Sequence, residues 1–201
     1  MPEIKITKEK LIDEAVGLIR ESGAQALNAR ALAKRAGVST QPIFSHFAGM
    51  QDLKTACLQK AVALYGASLQ KEIAADPEHK FRAMGLGYIR FAREEKELFR
   101  WLFMRDALRE PLDLPDVAAE PIGVLQTALG LTREAAERFH LEMWVVVHGI
   151  ATMIVTGTYD WDDDKISMVL GDFYRAWIQK LSSREENCTP TATNVLSFWL
   201  T

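Results

Sequence analysis

The stretch LAKRAGVSTQPIFSHF, residues 32–47, constrains the fold more than any other part of this 201-residue chain. It places a glycine, a serine and a proline inside sequence that otherwise has the three- and four-residue apolar spacing of helices. Gly37 favours the left-handed conformation that ends many helices, and Pro42 is tolerated in the first turn of a helix. The pattern therefore predicts two short helices joined by a tight turn.

Capping residues mark where these two helices begin. Asn28 predicts the start of a helix that ends at Ala36, because its side chain can accept a hydrogen bond from the first turn. Ser39 predicts in the same way the cap of a second helix beginning at Thr40. Two short helices separated by an AGVS turn have the geometry of a helix-turn-helix, whose second helix fits the major groove of B-form DNA.

The rest of the chain continues the helical periodicity without a strand signal. Strict alternation of apolar and polar residues is absent, and so are the Asn-Gly and Asp-Gly pairs of hairpin turns. Caps, glycines and prolines divide the chain into about nine helices. We therefore predict an all-α fold in which residues 1–49 form a helix-turn-helix DNA-binding domain and residues 50–201 form a helical regulatory domain.

The charge distribution favours a nucleic-acid partner although the net charge is −3. Residues 1–60 hold nine Lys or Arg against six Asp or Glu, whereas residues 61–201 hold fifteen against twenty-one. A basic end joined to an acidic body fits a DNA-binding head on a larger regulatory body.

Membrane and metal chemistry are not expected. The longest apolar run, MWVVVHGIATMIV at 143–155, contains a histidine and is shorter than a bilayer span. The first residues have the pattern of a charged amphipathic helix rather than of a signal peptide, so we expect a cytoplasmic protein. Cys57 and Cys188 lie far apart without a metal or redox motif, which predicts free thiols, no metal and no cofactor.

The stretch ALAKRAGVSTQPIFSHFAGMQDL, residues 31–53, resembles the helix-turn-helix motif of the TetR-type transcriptional regulators. Ten positions agree with that motif in order: Ala33, Ala36, Gly37, Val38, Ser39, Phe44, His46, Phe47, Asp52 and Leu53. A shorter stretch, WVVVHG at 144–149, resembles the Trp-His-Gly motif of one C-terminal subgroup of these regulators. The resemblance implies a homodimeric transcriptional regulator, most often a repressor, that a small hydrophobic effector releases from double-stranded operator DNA.

The resemblance also implies which side chains contact DNA. The base-reading positions of the family fall on Arg30, Thr40, Gln41 and Phe44. Its backbone-contacting positions fall on Asn28, Ser39, Pro42, His46 and Met50, although His46 could equally hold the turn through a hydrogen bond. Ser45 is expected to point outward beside them.

Two departures from the family pattern weaken the expected contact with phosphate. Phe44 stands where the family usually has tyrosine, so a hydroxyl contact to phosphate is lost and an apolar contact to a thymine methyl remains. Met50 stands where it usually has lysine, which should flatten the salt dependence of binding by roughly one unit of slope. Lys54, one helical turn later, is the candidate replacement.

Two sets of residues in the body follow from the resemblance. The effector-cavity candidates are Tyr88, Phe91, Phe99, Phe103, Met104, Met143, Trp144 and His148, for which an ordinary apolar core is the open alternative. The dimer-interface candidates, on the last two helices, are Val147, Ala151, Val155, Met168, Gly171, Tyr174, Trp177 and Ile178.

Three other functions stay open at this point. An all-α enzyme would use His148 or His140 with Glu142 as acid and base. However, Glu142 and His148 are six residues apart on different faces of one helix, so we do not expect an enzyme. A DNA-binding regulator that senses no effector, and an activator instead of a repressor, are the remaining alternatives.

Overall fold

The computed structural model describes residues 6–105 and 119–185, with side chains as far as residue 181. Every regular element in this part of the chain is a helix, which confirms the all-α prediction. Within residues 6–105 and 119–185, two short 3₁₀ turns, Ala24–Ala26 and Pro77–His79, accompany nine α-helices. These are α1 (Lys8–Ser22), α2 (Ala29–Ala36), α3 (Gln41–His46), α4 (Met50–Ala75), α5 (Lys80–Glu94), α6 (Lys96–Phe103), α7 (Ala119–Leu129), α8 (Arg133–Thr156) and α9 (Asp163–Glu185).

The described residues form two compact units. The first consists of those within 1–67 and 94–113, and the second of those within 68–93 and 114–201. Helix α4 contributes residues to both units. The division after residue 49 stays a prediction.

The first unit is built around α1. The Thr7 hydroxyl caps this helix by accepting a hydrogen bond from the Lys10 N–H at 3.1 Å. Its inner face packs against α2 and α6. Leu11 and Ile19 of α1 and Leu32 of α2 are fully buried there, so the burial of apolar surface holds the helices together.

Ion pairs join segments of the first unit that lie far apart in sequence. The Arg20 guanidinium donates two hydrogen bonds to the Glu95 carboxylate, at 2.8 and 2.6 Å. The Arg35 guanidinium of α2 bonds to both Glu14 and Glu21 of α1. Because a planar guanidinium fixes the direction of its partners, the two Arg35 pairs help to set the orientation of α2 on α1.

The second unit is built around α8, which packs against α7 and α9. The Thr132 hydroxyl caps α8, and Gly157 ends it in the left-handed conformation at φ 69°. The rings of Phe139 and Trp177 stack with centroids 4.2 Å apart and planes within 2°. The Trp177 indole N–H also donates to the Glu142 carboxylate, so α9 is held to α8 by both apolar and polar contacts.

Helix α8 is longer than the apolar run that the sequence analysis singled out. At 24 residues it is long and apolar enough, by length and composition, to cross a membrane. Its apolar residues Phe139, Met143 and Ile150 are buried within the second unit. A core helix has the same length and composition, and this burial is what such a helix requires.

Candidate functional site

The turn between α2 and α3 has the backbone geometry that the sequence predicts. Asn28 caps α2, since its side-chain oxygen accepts a hydrogen bond from the Ala31 N–H at 3.0 Å. Gly37 ends α2 in the left-handed conformation, at φ 68° and ψ 29°. The next N–H, that of Val38, donates to the Ala33 carbonyl at 3.0 Å and closes the helix end. These local bonds fix the angle at which the chain leaves α2.

The start of α3 differs from the prediction. The helix begins at Gln41, and its N-cap is Thr40 rather than Ser39. Thr40 already has helical dihedrals, at φ −74° and ψ −17°, and its side chain makes no capping hydrogen bond. The N-cap therefore falls one residue after the predicted Ser39. A capping side chain needs extended backbone at its own position, and the helical backbone of Thr40 explains why its hydroxyl does not cap α3. Pro42 lies in the first turn as expected.

One face of α3 is buried and the other is open to solvent. Ile43 is fully buried and Phe47, directly after the helix, is 2% exposed. Gln41, Ser45 and Phe44 lie on the outer side, where Phe44 leaves 52% of its surface exposed. The outer side of α3 therefore presents one aromatic and several polar side chains to solvent.

His46 is bonded within the protein. Its Nε2 atom lies 2.9 Å from the Ile6 carbonyl oxygen. A carbonyl oxygen only accepts, so this contact is a hydrogen bond when the imidazole carries a proton on Nε2. Beside it, the Lys8 ammonium lies over the Phe47 ring at 5.0 Å from the centroid. The end of α3 is thereby tied to the segment that leads into α1.

The start of α4 is capped by a carboxylate in its own first turn. The Asp52 carboxylate accepts a hydrogen bond from the Ala48 N–H at 3.0 Å. Met50 is half-buried and Lys54 is exposed one turn further on. The cap fixes the direction in which α4 begins after α3, and Lys54 lies on the surface of α4.

The cations of the first unit divide into two groups. Lys10, Arg20, Arg35 and Lys60 are each paired with a carboxylate. The hydrogen bond from Lys10 lowers the pKa of Glu14, and the one from Arg35 lowers that of Glu21. Within the described part of the first unit, five exposed cations have no ion pair, namely Lys8, Arg30, Lys34, Lys54 and Lys96.

Arg30 and Lys34 lie in α2, Lys54 lies near the start of α4 and Lys8 lies over the Phe47 ring, so these four are near the helix-turn-helix. The fifth, Lys96, lies in α6. Lys34 was not among the predicted contact residues. Arg35, the next residue, is paired with two carboxylates, and the sequence alone does not show which of these two neighbouring cations is paired.

The effector candidates are divided between the two units. Phe99, Phe103 and Met104 lie in the first, where the Phe103 ring contacts both Phe99 and Tyr65, each at 5.1 Å between centroids. Met104 is exposed. The structure does not place these three in the same unit as the other five candidates, which are Tyr88, Phe91, Met143, Trp144 and His148.

Three of those five residues form a polar and aromatic cluster in the second unit. The Tyr88 hydroxyl lies 2.8 Å from His148 Nδ1, and the Trp144 ring stacks on the His148 ring at 4.9 Å. Burial lowers the pKa of His148 below its usual value, because a low-dielectric surrounding disfavours the charged imidazolium. The cluster is therefore neutral at physiological pH.

Most of the dimer-interface candidates are buried within the second unit rather than on its surface. Met168 alone among them is largely exposed, at 57%. The others lie in the core: Val147, Ala151, Val155, Gly171, Tyr174, Trp177 and Ile178. The exposed apolar residues on the opposite face of α8 are Leu141, Val145 and Met153. Trp144 is also partly exposed, but it lies seven residues before Ala151 and therefore at the edge of the buried face. The assignment of interface residues stays a prediction.

An open cleft in the first unit had no signal in the sequence. It lies between the end of α1 and α6, and its carboxylates Glu21 and Glu97 are already paired with Arg35 and Arg100. The cleft is lined by Glu21, Ser22, Ala24, Gln25, Glu97, Arg100 and Trp101.

The residues of the alternative acid and base pair are bonded to other groups. Glu142 accepts from Trp177, His148 is paired with Tyr88, and the His140 ring lies against Phe81 at 6.5 Å between centroids. Among the residues that the structure describes, no three metal-ligating side chains gather at one place.

A capped, left-handed turn followed by a short helix with an exposed outer face defines a helix-turn-helix DNA-binding protein. Two family profiles match the chain. Residues 11–57 match the family described as "Bacterial regulatory proteins, tetR family", and residues 81–178 match "Tetracyclin repressor-like, C-terminal domain". The chain belongs to the TetR family and is a DNA-binding transcriptional regulator. No curated protein matches it in sequence. The Trp-His-Gly subgroup stays a prediction.

Proposed function

We propose that this regulator is a cytoplasmic, homodimeric repressor that binds double-stranded operator DNA and is released by a small hydrophobic effector. The observation that carries the proposal is the first unit, where the exposed face of α3 lies in the same compact body as Arg30, Lys34 and Lys54, which are exposed and have no ion pair. Such a surface supplies both parts of DNA recognition, since base edges are read by side chains in the groove and phosphates are neutralised by free cations.

Each exposed side chain has a chemical role that suits it. The Gln41 amide can form two hydrogen bonds with adenine, and the Arg30 guanidinium can do the same with guanine. Phe44 offers an apolar contact to a thymine methyl, and the Thr40 and Ser45 hydroxyls can reach base or phosphate.

Four further residues support contact with the DNA backbone. Asn28, Ser39 and Pro42 lie around the turn, where backbone phosphates of the operator are expected, and Lys54 replaces the charge that is missing at Met50. His46 acts mainly by positioning α3, because its Nε2 atom is already bonded to the Ile6 carbonyl.

The dimer is supported by an apolar stripe on the outer face of α8. Leu141, Val145 and Met153 are exposed, and they follow one another along the helix at intervals of four and eight residues. Gly149 lies between them, and a methyl group added there would meet nothing within 4 Å. A stripe with a small residue at its centre lets a helix from a second copy approach closely, as a four-helix interface requires.

The dimer can be tested by sedimentation of matched variants. Val145→Glu is expected to convert the dimer into a monomer, because it buries an unpaired charge in the interface. Gln59→Glu adds the same charge at an exposed position of α4, outside the two helices expected at the interface, and is the control. A monomeric wild type at micromolar concentration, or a Val145→Glu variant that stays dimeric, would overturn this assignment.

Release by an effector needs a connection between two sites, and α4 is part of both units. A molecule bound in the second unit could shift this helix and thereby change the orientation of the heads, which is a two-state coupling of distinct sites.

Operator affinity tests the whole proposal. The wild type is expected to bind a duplex from its own promoter region more tightly than a scrambled duplex at moderate salt, and Gln41→Ala to lose most of that preference. Gln59→Ala, an exposed glutamine of α4, is the control. A protein that never prefers its own promoter region would sink the proposal. Affinity that no candidate effector changes would favour the constitutive regulator, and rising transcription in the bound state would favour an activator.

A further inference from the structure

A polar stripe runs along one flank of α8 in the second unit. Trp144, His148 and Thr152 are spaced four residues apart, so they lie one above the other on the helix. The Trp144 ring stacks on His148, and the Tyr88 hydroxyl of α5 lies 2.8 Å from His148 Nδ1. This stripe brings an aromatic surface and three polar side chains to the same part of the unit.

Thr152 is the member of the stripe whose hydroxyl group lacks a hydrogen bond. Its hydroxyl oxygen is buried and has no hydrogen-bond partner among the described residues. The neighbouring Thr156 hydroxyl does bond, to the Thr152 backbone carbonyl at 2.8 Å. Nearly all buried polar groups in folded proteins are hydrogen-bonded, so an unpaired buried hydroxyl beside a polar cluster points to a partner from outside the chain.

The charges around the stripe are neutralised within the protein. The three arginines of α5 each bond to a carboxylate, Arg82 to Asp76, Arg90 to Glu72 and Arg93 to Asp163. On α8, the Glu142 carboxylate accepts from the Trp177 indole. Burial lowers the pKa of His148, which keeps the imidazole neutral. A charged ligand would lose its hydration here without gaining an opposite charge.

We infer that Tyr88, His148 and Thr152 form the polar end of the effector site, and that the effector is an uncharged, apolar molecule carrying a hydroxyl group. A hydroxyl both donates and accepts, as do the side chains it would meet, and Trp144 offers its partly exposed ring to the apolar body. The inference rests on the proposed function, since it assigns the chemistry of the effector that the proposal requires.

Matched small molecules test the inference on the full-length chain. The probes are 2-naphthol and 4-phenylphenol, each beside its methyl isostere and its carboxylate, with binding measured by equilibrium dialysis. Each phenol is expected to bind about tenfold more tightly than its methyl isostere, which corresponds to one hydrogen bond. The carboxylates are expected to bind no better than the methyl compounds.

Variants locate the effect at one hydroxyl group. Thr152→Val keeps the shape of the side chain and should abolish the preference for the phenol while leaving binding of the methyl isostere. Thr152→Ser should restore the preference, and Thr156→Val is the matched control that should not change it. Persistence of the preference in Thr152→Val, a missing preference on both scaffolds in the wild type, or tighter binding of the carboxylates would overturn the inference.

A separate measurement of operator affinity distinguishes this inference from the proposed function. A phenol whose binding depends on Thr152 but does not weaken DNA binding would refute effector release and leave the site in place. A charged molecule that releases the operator would support effector release and refute the inferred chemistry of the site.

Discussion

Two lysines on α4 should differ in their effect on DNA binding, because only one of them is paired. Lys60 lies 3.2 Å from the Asp13 carboxylate. Lys54 is exposed and has no ion pair in the described part of the chain. We expect Lys54→Gln to remove one phosphate contact from each head, whereas Lys60→Gln should remove none.

The size of the effect follows from counterion release. Each phosphate contact contributes about 0.9 to the slope of log K against log salt concentration, so a dimer with two heads should lose about 2 units of slope. At 0.15 M salt the same relation gives a loss of affinity of about 30-fold. For Lys60→Gln the slope should stay within about half a unit of the wild type.

Fluorescence anisotropy of a labelled operator duplex, measured between 0.05 and 0.3 M KCl, gives both slopes. Circular dichroism of each variant checks that the loss is not caused by unfolding. Equal slopes for the two variants would refute the argument that pairing decides which cations reach the DNA. A larger loss of slope in Lys60→Gln would refute it as well.

Three further predictions follow from single residues. Phe44→Tyr should tighten operator binding several-fold by adding a hydroxyl contact to phosphate, measured by the same anisotropy titration. Gly37→Ala should destabilise the fold by about 1 kcal/mol, and lower the Tm by about 2–4 °C, because alanine is strained at the φ of 68° found there.

The third is a pH effect. Since the folded protein holds the pKa of His148 below its unfolded value of about 6.5, the unfolded chain binds more protons, and stability should fall as the pH falls through that region. His148→Gln should reduce the drop in Tm between pH 7.5 and pH 5.5.

Local features of the fold could be predicted from the sequence because their causes are local. Asn28 caps α2 through an N–H three residues away, and Gly37 ends it through its own dihedral angles. Thr132 and Gly157 begin and end α8 in the same way. The start of α3 differed from the prediction by one residue, because Ser39 and Thr40 are neighbouring hydroxyl residues and the sequence does not say at which of them the helix begins.

The charges of the site could not be predicted, because their partners are distant in sequence. Arg35 bonds to Glu14 and Glu21, which are 21 and 14 residues away. His46 bonds to the Ile6 carbonyl, 40 residues away. Counting Lys and Arg along residues 1–60 treats all of them as available to DNA. The fold instead commits some of them to carboxylates and so selects which ones remain.

Helix α8 shows why periodicity alone cannot assign an interface. Val147 and Val155 form one apolar stripe, and Val145 and Met153 form another two residues earlier. Two residues correspond to about 200° around a helix, so these stripes lie on opposite faces. Either stripe satisfies a sequence pattern, but only the first is buried within the second unit. A helix that is apolar on both faces needs a second partner for the exposed one, and this requirement, rather than the pattern itself, is the physical argument for the dimer.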